Sequence, residues 1–113
     1  MKIDKETQER IQDLQSGEQN LQNLLLQKQA FQIELGESES ALEEVKKAGD
    51  EVYKIAGNIM IKASKDQVIR DLDEKIKVFG LRLKAIENQE KIFVEKTGKL
   101  RLELEKKFSD VKE

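Results

Sequence analysis

Apolar residues in the second half of the chain return at alternating steps of three and four: Ile69, Leu72, Ile76, Phe79, Leu83, Ile86, Phe93, Leu100, Leu104 and Val111. Glu90, Thr97 and Lys107 keep the same beat. This spacing returns side chains to one stripe of a helix, and over several heptads it makes the seam of a coiled coil. Ser64, with Gln67 three residues later, supplies a capping box at the start. The chain has no proline to interrupt the helix, so the pattern predicts one over 65–110, weakened locally at Gly80 and Gly98.

The first half carries a similar row: Leu21, Leu24, Lys28, Phe31, Leu35, Ser38, Leu42 and Val45. A second row, Ile11, Leu14, Glu18, Leu21 and Leu25, shares part of it. Exposed sites are mostly Gln, Glu and Lys, all good helix formers. A helix over 5–48 is predicted, roughly 60 Å long at 1.5 Å per residue. Gly49 and Asp50 offer it an end, with Lys46 and Lys47 suited to the negative C-terminus.

Between the helices, residues 51–63 break the period. β-branched residues and Tyr53 flank Gly57-Asn58, a two-residue turn signal for a β-hairpin. An Ala56–Ile59 pairing puts Val52, Ile59 and Ile61 on one face and Tyr53, Ile55 and Met60 on the other. A lone hairpin is marginal in water, and one that is apolar on both faces needs a cover that this chain does not supply. Residues 51–63 are therefore expected to pair with other chains.

Two long helices around a tight hairpin run antiparallel, and positions adding to about 114 face each other. Val45 then meets Ile69, Leu35 meets Phe79, Phe31 meets Leu83, Leu21 meets Phe93 and Leu14 meets Leu100. Lys28 and Glu90 are charged seam positions that either reach out to water or pair with each other. Gly17 falls opposite Thr97 and Gly98, a thin place that is either tolerated or lets the ends splay. Ile3, Leu102, Phe108 and Val111 lie near the free ends, as frayed termini or as sticky tips.

Composition narrows the function. The chain has 113 residues with no Cys, His or Trp, which closes soft-metal sites, thiol nucleophiles and histidine relays. Charged residues make up 39% and hydrophobic ones 37%, enough for a narrow seam but little for a compact core. A net charge of −2 with mixed signs does not suit nucleic acid. No apolar run spans a bilayer and the start has no signal core, so a cytoplasmic location is expected, with neither membrane nor nucleic acid as partner. The six glycines are scattered singly, so no phosphate loop is present. The carboxylate clusters Glu37–Glu39 and Glu43–Glu44 lie among lysines, where helical pairing explains them better than metal binding. No cofactor and no enzymatic activity are expected. The whole chain reads as a single domain, 1–113.

One stretch is more specific than heptads. Val52-Tyr53-Lys54, then Gly57-Asn58-Ile59-Met60-Ile61-Lys62 and Lys65-Asp66, resembles the beta-type subunit of archaeal prefoldin. Leu72 to Lys77, Leu81-Arg82-Leu83, Asn88-Gln89-Glu90 and Leu26-Gln27-Lys28-Gln29 extend the resemblance over most of the chain. Gly80 and Gly98 depart from the family pattern, which bears on the stiffness of the arms. The resemblance implies a mainly α fold: an antiparallel two-helix coiled coil with one β-hairpin, the hairpins assembling into a β-barrel platform. It implies a hexamer of two alpha-type and four beta-type subunits. Its arms hold unfolded proteins without ATP and deliver them to a group II chaperonin. On that reading Val52, Tyr53, Ile55, Ile59, Met60 and Ile61 serve assembly. Ile3, Ile11, Leu14, Leu100, Leu104, Phe108 and Val111 are the expected client contacts, and the acidic tail 103–113 is either a chaperonin dock or a solvated end. A spacer or tether would share the helices but would not need the two-faced hairpin. A helical arm cut from a nucleic-acid enzyme fits the mixed charge poorly.

Overall fold

The computed structural model describes residues 3–111, with side chains through Asp110. The order is α1 (Lys5–Lys47), β1 (Val52–Ala56), β2 (Ile59–Ala63) and α2 (Lys65–Val111). Contacts divide the chain into two units. One holds the chain through Lys28 together with the chain from Ala85 onward; the other is Gln29–Lys84. Both helices pass through both units.

Each helix end shows how local chemistry sets its boundary. Asp4 caps α1: its Oδ1 accepts from the Thr7 amide at 2.8 Å and its carbonyl from the Gln8 amide at 3.0 Å. The Thr7 amide, one of those a helix start leaves unpaired, is thereby used, and the Gln8 bond is the first of the helix's own ladder. At the other end, Lys65 Nζ donates to the Ala48 carbonyl at 2.7 Å. Gly49 does not adopt the left-handed conformation of a glycine cap; among the described residues Gly57 alone has a positive φ. A lysine from the next helix does what Gly49 was expected to do. The capping box of α2 is only half made. Ser64 Oγ accepts a long bond from the Gln67 amide, 3.5 Å. The Gln67 side chain turns forward instead, donating to Asp71 Oδ1 at 2.9 Å.

The hairpin has the expected register. Ala56 pairs with Ile59, Ile55 with Met60, Lys54 with Ile61, Tyr53 with Lys62 and Val52 with Ala63. Gly57 has φ +62° while Asn58 stays at negative φ, the signature of a II′ turn with glycine first.

Along α2, every seam position from Ile69 to Lys107 is buried or half-buried. Along α1 the seam passes through Leu14, Gly17, Leu21, Leu24, Lys28, Phe31, Leu35, Ser38, Leu42 and Val45. Glu18 and Leu25 are exposed, so the second row read from the sequence is not a packing row there. Unbroken alternation of three and four needs Gly17 and Leu24 in those places, and a glycine is invisible to a search for apolar residues.

In the first unit, cross-helix partners run in opposite directions: Asp4 with Lys107, Arg10 with Glu103, Glu18 with Arg101 and Lys28 with Glu90. Gly17 is no thin place. A Cβ added there would lie 2.6 Å from Thr97 Cγ2, so this is where the helices press together. Thr97 is buried, and its Oγ1 donates to the Phe93 carbonyl at 2.8 Å, with the Val94 carbonyl at 3.2 Å. In the second unit Phe31 and Phe79 meet with centroids 5.9 Å apart at 41°, and the Arg82 guanidinium lies 5.7 Å from the Phe31 ring centroid.

Candidate assembly and client-binding surfaces

Alternation along the two strands sorts the hairpin into two faces. Tyr53, Ile55 and Met60 project on one side, and Ile59 and Ile61 on the other; all five are at least half exposed, Ile55 reaching 72%. Val52 shares a face with Ile59 and Ile61 but is only 6% exposed, because it sits where the ribbon joins the helices. Of the six residues assigned to assembly, five are therefore uncovered in the isolated chain and one is an anchor of the ribbon. Complete burial of such a side chain stabilises by roughly 1.5–3 kcal/mol. With half or more of each still exposed, the five together offer on the order of 5–10 kcal/mol. A single association costs about as much or more in lost freedom, so a ribbon of this size needs cover on more than one side.

A groove of about 650 Å³ lies beside β1 in the second unit. Its apolar lining is Tyr53, Ile55, Val68, Leu72, Val78 and Phe79, and Lys54, Asp71, Glu74, Lys75 and Arg82 supply its polar lining. Sequence reasoning missed it, because Val68 and Val78 lie off the seam row and their neighbourhood with β1 is a matter of three-dimensional placement.

The residues assigned to client contact behave differently. Ile3 is partly exposed at 39%. Ile11, Leu14, Leu100 and Phe108 are half-buried, and Leu104 is 5% exposed. The side chain of Val111 lies outside the described residues. Leu102 is freely exposed, on the side away from the seam. Most of these side chains are thus taken up by the seam.

Charge surrounds this end of the first unit. Lys107 Nζ lies 3.1 Å from Asp4 Oδ2, Arg10 pairs with Glu103 at 3.5 Å and with Glu6 at 3.0 Å, and Arg101 with Glu18 at 2.7 Å. The Thr7 hydroxyl beside the Asp4 carboxyl and the Thr7 amide bonded to it, with Lys107 adding to them, hold Asp4 at a pKa of about 2, below its ordinary 3.8. Lys28 and Glu90 meet at 3.5 Å; of the two sequence alternatives, the pair is the one that forms. Thr7 went unnoticed in the sequence. It is 2% exposed, and its Oγ1, though beside Asp4, completes no well-formed hydrogen bond among the described residues. Among those residues, no helix is long and apolar enough to cross a membrane.

Comparison with known proteins agrees with this geometry over nearly the whole chain. The family model described as Prefoldin subunit matches residues 8–110. The chain is 37% identical over 105 residues to a prefoldin subunit beta of Thermococcus kodakarensis, covering 91% of this chain and 90% of the relative. It is 34% identical over 106 residues to the prefoldin subunit beta of Archaeoglobus fulgidus, covering 92% and 91%. The crystal structure of the prefoldin beta subunit from Thermococcus strain KS-1 superposes with a TM-score of 0.82 at 36% identity, covering 93% of this chain and 94% of that one. Two helices around a single exposed hairpin, matched at this identity and over this length, place the chain in the prefoldin family, among relatives of its beta subunits.

Proposed function

We propose that this chain is a subunit of an ATP-independent holdase chaperone. Its hairpin joins those of an alpha-type partner and of further copies in a β-barrel platform, two alpha and four beta subunits in all. The end of the coiled coil formed by the start of α1 and the finish of α2 captures unfolded proteins, which pass to a group II chaperonin in the cytoplasm. The observation that carries the reading is the hairpin with apolar side chains exposed on both faces, in a chain of the prefoldin family. Both strand edges of a two-stranded ribbon are also unpaired, and open edges invite further strands.

Multivalency supports the capture mechanism. One partly buried Leu or Phe contributes about 1–2 kcal/mol to a client, too little to hold it. Several such ends around one space raise the local concentration and add their weak contacts. Weak apolar contacts suit clients without a common sequence and permit release without a nucleotide. The experiment is aggregation of a denatured test protein, monitored by light scattering, with the chain and an alpha-type partner present and ATP absent. Suppression in proportion to added complex is expected. Undiminished aggregation at excess complex rejects the holdase and favours a spacer.

A further inference from the structure

We infer that Lys65 is the positioning residue of the assembly surface: its ammonium, bonded to the Ala48 carbonyl at 2.7 Å, fixes the angle at which the hairpin stands on the helices. The inference rests on the assembly reading and names the residue that presents that surface. A helix leaves its last carbonyls unpaired, at the negative end of its dipole. The Ala48 amide still bonds back to the Glu44 and Val45 carbonyls, at 3.0 and 3.2 Å, so the helical ladder runs on to Ala48 and its carbonyl is one of those left over. Gly49 does not take the left-handed conformation that would cap it, and Lys65 brings a charged donor instead. A cap alone would concern α1 only. This one reaches further, because Ala48 precedes the hairpin and Lys65 follows it, so the bond closes a ring around the whole ribbon.

The two links between ribbon and helices are unequal. Ser64 alone joins β2 to α2, and its carbonyl already accepts from the Val68 amide at 3.0 Å, so the second strand runs stiffly into its helix. Residues 48–51 join α1 to β1, and Gly49 makes that link pliable. Lys65 spans the pliable side. Val52 is buried and pairs with Ala63 at the base of the ribbon, but apolar burial is non-directional and tolerates a change of tilt. A charge-assisted hydrogen bond sets a distance and a direction. The groove beside β1 depends on that setting. Tyr53 and Ile55 form its wall on the strand, and Val68, Leu72, Val78 and Phe79 its wall on α2. Its width is the separation of β1 from α2, which the Ala48–Lys65 bond holds at the root. Tyr53 and Ile55 are also two of the exposed side chains on which assembly rests, so the same bond sets where they stand. A ribbon free to tilt presents them correctly only part of the time, and its affinity for partner hairpins falls by that fraction.

The test compares the full chain with Lys65→Met, which keeps the stem and drops the ammonium, and with Lys65→Arg, which keeps a charged donor at similar reach. Neither alters an apolar side chain of the ribbon. The chain has no cysteine, so Asn58→Cys at the turn and Lys77→Cys, exposed on α2, take nitroxide labels in each background. Electron–electron resonance on the free chain then reads the spread of distances between ribbon tip and helix, and light scattering on dilution reads the affinity for an alpha-type partner. Lys65→Met should broaden the distance distribution and weaken assembly about threefold to tenfold, with helix content and the exchange protection of the strand amides retained. Lys65→Arg should restore both. An unchanged distribution in Lys65→Met overturns the positioning role, whatever happens to assembly. A broadened distribution with undiminished assembly overturns it as well, since the angle would then not matter. A wild-type chain that does not join the alpha-type partner overturns the assembly reading itself.

Discussion

Replacing Gly17 by alanine sets two effects of opposite sign against each other. Alanine in a helix interior is favoured over glycine by about 1 kcal/mol. Against this, the new Cβ would stand 2.6 Å from Thr97 Cγ2, well inside contact distance. Thr97 cannot swing aside cheaply: it is β-branched, buried, and tied through Oγ1 to the Phe93 carbonyl at 2.8 Å. Overpacking of this kind costs roughly 1–3 kcal/mol, so Gly17→Ala should be a net destabilisation of up to about 2 kcal/mol. Gly36 and Gly80 have nothing within 4 Å of an added Cβ; alanine at either should stabilise by about 0.5–1 kcal/mol. The decisive comparison is Gly17→Ala with Thr97→Ser, which deletes the offending methyl and keeps the hydroxyl. That pair should recover most of the loss, a positive coupling of about 1 kcal/mol or more. Urea unfolding monitored by helical circular dichroism, at one fixed protein concentration because assembly affects stability, reads all of these chains. If Gly17→Ala stabilises as much as Gly36→Ala, the close approach of the two helices is refuted.

The same structure sets other outcomes. Lys28→Leu should leave the midpoint unchanged or raise it, since the 3.5 Å pair with Glu90 is partly solvated and such pairs stabilise by about 1 kcal/mol or less; a large loss in thermal unfolding would contradict this. Gly57→Val should destabilise the hairpin by about 1–2 kcal/mol, because φ is +62° and a β-branched residue is strained there; loss of assembly with retained helix signal is the readout. Asp4 should titrate near 2 by carboxyl NMR. Its folded value lies below 3.8, so its contribution to stability is fully present above the unfolded value and is lost as pH falls toward 2. Lys107→Gln should raise that titration only part of the way, since Thr7 is the larger cause.

How much of this was legible in the sequence varied with the kind of signal. The seam of α2 could be read from Ile69 to Lys107 because large apolar residues mark nearly every turn of it. The hairpin register came from Gly57-Asn58, since a two-residue turn leaves Ala56 and Ile59 little choice of partner. Gly17 was misread as a thin point. In a sequence a glycine shows what is missing, whereas its meaning here comes from the Thr97 methyl that takes the space. Thr7 and Ser38 are buried seam positions, and of these Thr7 was hidden among polar neighbours. Lys65 closing the end of α1 joins residues seventeen apart, a relation set by where the hairpin returns the chain. The exposed hairpin could be read as a set of apolar residues, but Val52 leaves that set only once its burial at the base of the ribbon is known.

On the proposed function, Ile55 and Met60, both exposed in the isolated chain, are side chains that other hairpins would cover on assembly. Multi-angle light scattering of the chain with an alpha-type partner, compared with the same mixture carrying Ile55→Lys and Met60→Lys, measures this most directly. A hetero-oligomer several subunits in mass that collapses to free chains in the variant, with helix content preserved, is the predicted result. A variant that assembles as well as the parent would contradict it.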